Sequence, residues 1–513
     1  MPSSVASLLP WGPASQRRSA AWRALGLVAT TLFLAVPVVA RAQTTPAAKP
    51  TIMVGDFELS PELEVRTRGE YRRNPVDMGG AGTGSYTEDP WAIMERSRVG
   101  LGAERGPLKA KVTIQDARVW GSTPPTAIFN NSAFGTTGLY EAFIEIHTTN
   151  TPTPQPNTSD SSIKQPQYIR VGRQTIVWDG GHLIGNADFS PVARTFDALR
   201  AHAGWRSLDF EAFAALTDVP QPIGIGFGDP NGSYFGGAQL YGALASATLD
   251  PLLKVQIYGL LRPAPGSSSS TFAPISTDFA QSRTFGDDWT MALGVSGDSK
   301  GWKYGVTGAL QLGNVPLVTP TGPQTFQRLA YAAIGDASRT FDGVVLAPTI
   351  KIGASYASGG KSGTQYNQFD PLYPDVQTYH GLLGAFAWSN LIDVHGSVTI
   401  VPTTDMRIMA GYRYARLADK SGDWLDTYLV PVAPGGVATS EELGHEVDVL
   451  LSYRPWPAFV MSAGYSLLVL GQGAKDAMTA EQRTSKDGTG TLVPPDLSHY
   501  AFLQLTLTVP AKP

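Results

Sequence analysis

Between Glu62 and Arg72 every second residue is charged: Glu62, Glu64, Arg66, Arg68, Glu70 and Arg72. Leu63, Val65, Thr67, Gly69 and Tyr71 fill the positions between them. A β-strand sends alternate side chains to opposite faces, whereas a helix would scatter these charges around its surface. The segment is therefore predicted to be a strand with one charged and one largely apolar face. An edge strand of a soluble sandwich has this pattern too, so the question is whether it recurs. It does. Trp302, Tyr304, Val306, Leu310 and Leu312 alternate with Lys303, Gly305, Thr307, Ala309 and Gln311. Val447, Val449, Leu451 and Tyr453 lead across a turn to Phe459, Met461, Ala463, Tyr465, Leu467 and Val469. The last such run is Ala501, Leu503, Leu505, Leu507 and Val509. Repetition along the whole chain favours an all-β transmembrane antiparallel barrel, apolar toward lipid and polar toward its lumen.

The connections support that topology. Short ones carry turn chemistry, as in Gly106-Pro107, Asp250-Pro251, Asp298-Ser299-Lys300-Gly301 and Arg454-Pro455-Trp456-Pro457. Long ones, rich in Gly, Pro, Ser and Asp, span 74–90, 121–137, 178–193, 218–235, 263–285, 358–391, 418–443 and 471–497. Short periplasmic turns alternating with long extracellular loops give about eighteen strands, an even number that returns the C-terminus to the periplasm. A barrel of that width is expected to hold an aqueous interior. Two segments strain the pattern. Residues 149–166 are long yet fall on the periplasmic side, as a disordered loop or a gate. Tyr379–Trp388 is apolar enough to be a further strand, and is placed instead in an outer loop folded against the pore.

The first residues read as a secretion signal. Arg17, Arg18 and Arg23 precede an apolar stretch from Ala24 to Ala40, and Ala40-Arg41-Ala42 offers a small-residue cleavage site after Ala42. The expected division is a signal at 1–42, a spacer at 43–55, the barrel at 56–509 and a tail at 510–513. Removing residues 1–42 deletes four arginines and no acid, taking the formal net charge from −4 to −8. That balance argues against nucleic acid as a partner. The chain has no cysteine, hence no disulfide framework and no thiolate metal site. No cofactor is expected. The partners expected of an outer-membrane barrel are its lipid and the barrel-assembly machinery.

Residues 168–202 carry a more specific signal: Gly172-Arg173-Gln174, Asp179-Gly180-Gly181-His182-Leu183-Ile184-Gly185 and Arg194-Thr195-Phe196-Asp197. This block resembles the alginate export family of outer-membrane proteins. Weaker matches follow in order at Tyr356-Ala357-Ser358-Gly359-Gly360, Phe369–Pro374 and Gly444–Asp448. The resemblance implies an eighteen-stranded barrel whose arginine-rich, electropositive constriction passes an anionic polysaccharide, with periplasmic export components as further expected partners. Two features depart from the pattern. His182 stands where the family favours arginine, and the chain ends Val509-Pro510-Ala511-Lys512-Pro513 without a terminal aromatic.

Alternation places Arg66, Arg68, Arg96, Arg98, Arg170, Arg200 and Arg413 toward the lumen, and Arg173 and Arg194 join them as motif residues. Arginine stays charged and presents a fork of donors that fits carboxylates, so rings of such groups select anions. The alternative is internal pairing with Glu62, Glu64, Glu70, Glu95, Glu141, Glu145 and Glu211, which would brace the wall. Asp179, Asp188 and Asp197 are either loop carboxylates paired with Arg173 and Arg194 or ligands of a divalent cation; the first is favoured. Asp179, His182 and Ser190 share a loop, but a catalytic triad is defined by geometry rather than spacing. An export channel for an acidic polysaccharide is thus the leading reading, with a small-solute porin as alternative and an outer-membrane hydrolase a distant third.

Overall fold

The computed structural model describes residues 51–76, 91–121, 136–148, 167–205, 207–217, 239–250, 252–263, 287–319, 322–429, 431–480, 485–486 and 492–510. The wall has eighteen strands: β1 (Phe57–Arg73), β2 (Trp91–Arg105), β3 (Leu108–Gly121), β4 (Thr136–His147), β5 (Tyr168–Gln174), β6 (Phe196–Trp205), β7 (Leu208–Leu216), β8 (Gln239–Asp250), β9 (Leu253–Arg262), β10 (Asp288–Ser299), β11 (Trp302–Thr319), β12 (Gly322–Thr340), β13 (Thr349–Ala357), β14 (Leu391–Thr403), β15 (Met406–Leu417), β16 (Glu442–Trp456), β17 (Phe459–Leu470) and β18 (Leu497–Val509). Each runs antiparallel to the next. β18 returns to β1, pairing from Leu63–Val509 to Arg73–His499, and closes the barrel. Closure leaves no free edge, so every wall strand has two neighbours with which to satisfy its backbone. The sheet already begins at Ile52–Val54, inside the stretch read as spacer, where a short strand pairs with the start of β1. The segments 1–42 and 149–166 lie outside the described residues.

The alternation of β1 turns out as expected. Glu64, Arg66, Arg68, Glu70 and Arg72 are buried on the inner face, while Leu63 is exposed on the outer one. Around the wall the outward positions are apolar, among them Val99, Leu101, Val112, Ile114, Ile144, Ile257, Leu293 and Ile352. Such a continuous apolar band requires lipid around it. Trp205, Trp302 and Trp456 face outward at the short-turn end, and Trp91, Trp120 and Trp289 at the long-loop end. These two aromatic belts mark the membrane interfaces. Among the described residues no helix is long and apolar enough to cross a membrane; the strands do the crossing.

The interior differs from the expected water-filled tube. Three long loops turn inward: residues 175–195, 358–390 and 418–441. Ile176, Trp178, Leu183 and Ile184 of the first, with Phe369, Leu372, Tyr373 and Trp388 of the second, pack against Phe196, Phe213, Tyr258, Ala292 and Ala332 of the wall. A second cluster joins Leu383, Phe386, Trp424 and Val432 of the inward loops to Tyr500 and Phe502 of β18. The physical reason is in the loops' composition. They carry large apolar side chains that water would not solvate, and burial in the lumen removes them from it. The Tyr379–Trp388 stretch is accordingly no wall strand; Leu383 and Ala385 to Trp388 are buried inside the barrel.

The first two inward loops are joined to each other. Gly185 N donates to Tyr373 O (2.8 Å), Tyr373 N to Leu183 O (3.0 Å), and Asp375 N to Gly181 O (2.8 Å). Gly181 has φ +93° and a Cβ there would fall 2.7 Å from Asp375 Oδ2, so this approach requires glycine.

Candidate functional site

The inner faces of β1 and β2 bring five arginines together. Arg66 lies directly opposite Arg96, and Glu64 opposite Arg98. Like charges face to face repel, so the wall needs acceptors between them. Glu64 takes Arg96 at Nε (3.0 Å) and lies 3.6 Å from Arg98 Nη1. Glu70 takes Arg68 (2.7 Å) and Arg72 (3.5 Å). Arg98 Nε donates to Gln115 Oε1 on the wall (2.8 Å), and further acceptors come from the first inward loop. Arg66 donates to Asp188 O (2.6 Å) and Ser190 O (2.7 Å), Arg68 to Phe189 O (2.7 Å), and Arg96 to Asp188 O (3.1 Å). Asp188 Oδ1 also sits 3.0 Å from Arg96 and 3.2 Å from Arg98. Arg68 and Arg98 lie over the rings of Phe189 (3.9 Å) and Tyr140 (3.6 Å), which adds cation–π attraction. Arg72 reaches Leu383 O of the second inward loop at 3.1 Å.

These arginines are not a bare positive ring. The side chains of Arg66, Arg96 and Arg98 are only 6%, 2% and 9% exposed, while that of Asp188 is 45% exposed. The lumen therefore meets a loop carboxylate laid over the guanidinium groups. Burial pushes the Asp188 carboxyl up, but Arg96, Arg66 and Arg98 more than offset this and hold it below the ordinary carboxylate value. A depressed folded pKa contributes stability that is complete above the unfolded value and is lost as pH falls through the folded one. The latch is thus expected to hold from neutral pH downward and to loosen only below about pH 4. Hydrogen exchange of residues 186–191 measured against pH checks this; loosening already near pH 6 would contradict it.

The other arginines of the sequence reading fall into distinct settings. Arg413 on β15 pairs with Asp393 and donates to Tyr379 O (2.6 Å) of the second inward loop. Asp393 also faces His395 Nδ1 (2.8 Å) and His380 Nδ1 (3.2 Å). Arg194 is buried and donates to Tyr373 O (2.8 Å) and Pro374 O (3.0 Å), so it ties the loops together through carbonyls rather than an aspartate. Arg170 and Arg200 lie lower on the inner wall, held by Glu145 (2.5 Å) and Glu211 (2.7 Å). Arg173 is not on the lumen face. It pairs in register with Asp197, which alternates with the buried Phe196 and Ala198, so both lie on the outer side of the wall, 2.6 Å apart. Glu95 likewise faces outward, opposite Arg118.

The motif aspartates do not converge. Asp188 faces the arginines and Asp197 the outer surface, while Asp179 accepts from Thr307 Oγ1 (2.6 Å) and Tyr258 Oη (3.2 Å). Among the described residues no cluster of three or more His, Asp or Glu suits a metal ion. His182 lies 3.5 Å from Asp179 and packs against the Tyr379 ring, centroids 4.1 Å apart. It joins the two inward loops where the resemblance favours an arginine. Ser190 Oγ is buried without a hydrogen-bond partner, so it is not linked to His182.

A second charged cluster escaped the sequence reading. Asp288 of β10 and Asp370 of the second inward loop hold Arg262 of β9 at 2.7 and 2.8 Å, and Arg328 of β12 lies 3.2 Å from Asp288. Arg262 and Asp288 flank the long 263–285 connection and pair in register. That flanking placement was the available signal.

Solved structures with a similar arrangement of strands are outer-membrane channels of Pseudomonas aeruginosa. OccK8 (OprE) matches with a TM-score of 0.50 at 10% identity, covering 88% of this chain and 98% of that one. OpdL matches with a TM-score of 0.49 at 11% identity, covering 88% and 99%. No curated protein matches the chain. The family model described as alginate export matches residues 57–224 and 239–486, taking in the arginine-bearing strands and the inward loops, and the chain belongs to that family of bacterial outer-membrane β-barrels.

Proposed function

We propose that this protein exports an anionic exopolysaccharide such as alginate, and that Asp188 and the carbonyls beside it stand in for the polymer between passages. The observation that carries the reading is the charge inventory of one wall patch. Among the described residues Arg66, Arg68, Arg72, Arg96 and Arg98 pair with two wall carboxylates, Glu64 and Glu70, and a third carboxylate arrives on a loop. Withdrawing that loop leaves a surplus of guanidinium groups in a narrow, low-dielectric lumen, where they attract a chain of carboxylates strongly. Arg413 and Arg194 hold the second inward loop and so take part in gating. Arg170 and Arg200 lie on the periplasmic approach. Arg173, on the outer face with Asp197, has no place in the path. Asp179, His182 and Ser190 position loops and are given no catalytic step. Periplasmic export components and the barrel-assembly machinery belong to this reading as partners.

Planar-bilayer recording of the refolded protein tests it. Anion-selective conductance that alginate oligomers reduce is the expected result, with Arg66→Ala and Arg98→Ala weakening both the selectivity and the block. Cation selectivity with no response to uronate oligomers would overturn it. A permanently open pore indifferent to the polymer would favour the rival reading, a small-solute porin.

A further inference from the structure

Three rings form a row on the inner wall at the periplasmic end of β4, β5 and β6. His147 pairs in register with Tyr168, and Tyr168 with His202. Tyr168 stacks on His202 with centroids 5.3 Å apart and planes at 14°, and lies 5.9 Å from His147. One step up each strand is a polar row: Glu145, Arg170 and Arg200. Aromatic side chains at a barrel rim normally point outward, to anchor in the membrane interface. These point inward, as the exposed outward neighbours Ile146, Ile169 and Leu199 establish, so membrane anchoring does not explain them.

The two rows differ from the patch around Arg66 in charge and in access. Here each cation is matched on the wall itself: Arg170 by Glu145 at 2.5 Å and Arg200 by Glu211 at 2.7 Å. Glu145 also meets His147 Nε2 at 2.7 Å. Side chains stay partly open, with His147 at 20%, Arg170 at 17% and Asp209 at 26% exposure. Arg200 Nε and Asp209 Oδ1 are buried without a hydrogen-bond partner, and Asp209 Oδ1 lies 3.8 Å from His202 Nε2. A surface with inward-facing rings, balanced charge and partly open polar side chains does not select a carboxylate. It suits a pyranose residue, whose C–H groups pack on aromatic carbon and whose hydroxyls both donate and accept.

We propose that His147, Tyr168 and His202, with Arg170, Arg200 and Asp209, form a sugar-stacking station on the periplasmic side of the inward loops. It takes one pyranose residue of a glycan through its C–H face and hydroxyls, before the chain reaches the arginine patch. Trp178 of the first inward loop donates to Glu211 at 2.5 Å, and Glu211 is the next residue in the row after His202. A chain held at the station therefore lies against the base of the loop it must displace. The proposal rests on the reading that a glycan passes through this barrel, but not on the glycan being acidic.

The test is calorimetric titration of the folded protein in detergent with two probes, an alginate hexamer and neutral cellohexaose. Both are expected to bind, with a Kd about tenfold weaker in Tyr168→Leu, the size of one lost stacking contact. Tyr168→Phe keeps the ring and is expected to stay close to the parent. If Tyr168→Leu does not fold, judged by heat-modifiable migration, His202→Leu answers the same question. Unchanged affinity in the ring-deleting variant, or binding of neither probe, would overturn the station. A channel that proves cation-selective in bilayers yet binds cellohexaose through Tyr168 would remove the acidic cargo and leave the station standing.

Discussion

Replacing residues 179–192 by a flexible Gly-Ser linker is expected to raise single-channel conductance severalfold and to shift selectivity further toward anions. The wall has no need of this segment, since the strands on either side of it, β5 and β6, are paired directly with each other. Inside the lumen, however, the segment fills space with Leu183, Ile184 and Ala187. It also supplies the acceptors for Arg66, Arg68 and Arg96. Its loss widens the passage and takes the loop's acceptors away from four guanidinium groups, those of Arg66, Arg68, Arg96 and Arg98. Asp188→Asn separates the two effects: it deletes one charge but keeps the carbonyl anchors, so selectivity should move while conductance changes little. Bilayer recordings of both variants decide the matter. A linker variant that conducts like the parent would mean that these residues do not limit the passage.

The second large effect is on stability. Asp288→Ala is expected to cost about 3–5 kcal/mol, because it removes a carboxylate shared by two buried guanidinium groups. Arg262 and Arg328 are 1% and 5% exposed, and Asp370 stays at 2.8 and 3.8 Å from them. Part of that penalty also releases the second inward loop, to which Asp370 belongs. Asp298→Ala serves as the comparison. Its partner Lys303 is 2.7 Å away, but both side chains are more than 60% exposed at a turn, and such pairs contribute about 0–1 kcal/mol. Urea midpoints for folding into lipid vesicles should show the first variant far below the second. Equal midpoints would mean that the buried cluster is not coupled to the wall.

The wall was legible in the sequence because its signal is local. Glu62 to Arg72 alternates over a single strand, and each neighbouring strand repeats the pattern with its own residues. Of the inward loops only the apolar stretch Tyr379–Trp388 was legible, and the contacts of the first loop were not, for a reason of distance. Arg66 and the carbonyl of Asp188 are separated by 122 positions in sequence, and no periodicity links them. The same apolar residues that make 175–195 fold inward read equally well as an extracellular loop. Arg173 is a different failure. Arg170 faces inward, an odd offset of three positions reverses the face, and the strand alone could have placed Arg173 outside. The internal pairing of arginine with glutamate was open from the outset, and the structure realises it for Glu64, Glu70, Glu145 and Glu211. What pairing could not reveal is that the wall acids run short and a loop makes up the difference.

Because Asp188 is held in a loop fixed at both ends to the wall, it competes for the arginines as a tethered ligand. A tether of this kind gives an effective concentration in the millimolar range. A single free uronate must exceed that concentration before it takes the carboxylate's place. A polymer faces no such threshold: once one of its residues has bound, the next carboxylate is tethered as well and meets Asp188 on equal terms. On the proposed reading, preference for long chains over monomers then follows from connectivity, with the individual contacts to a monomer and to a polymer residue being the same.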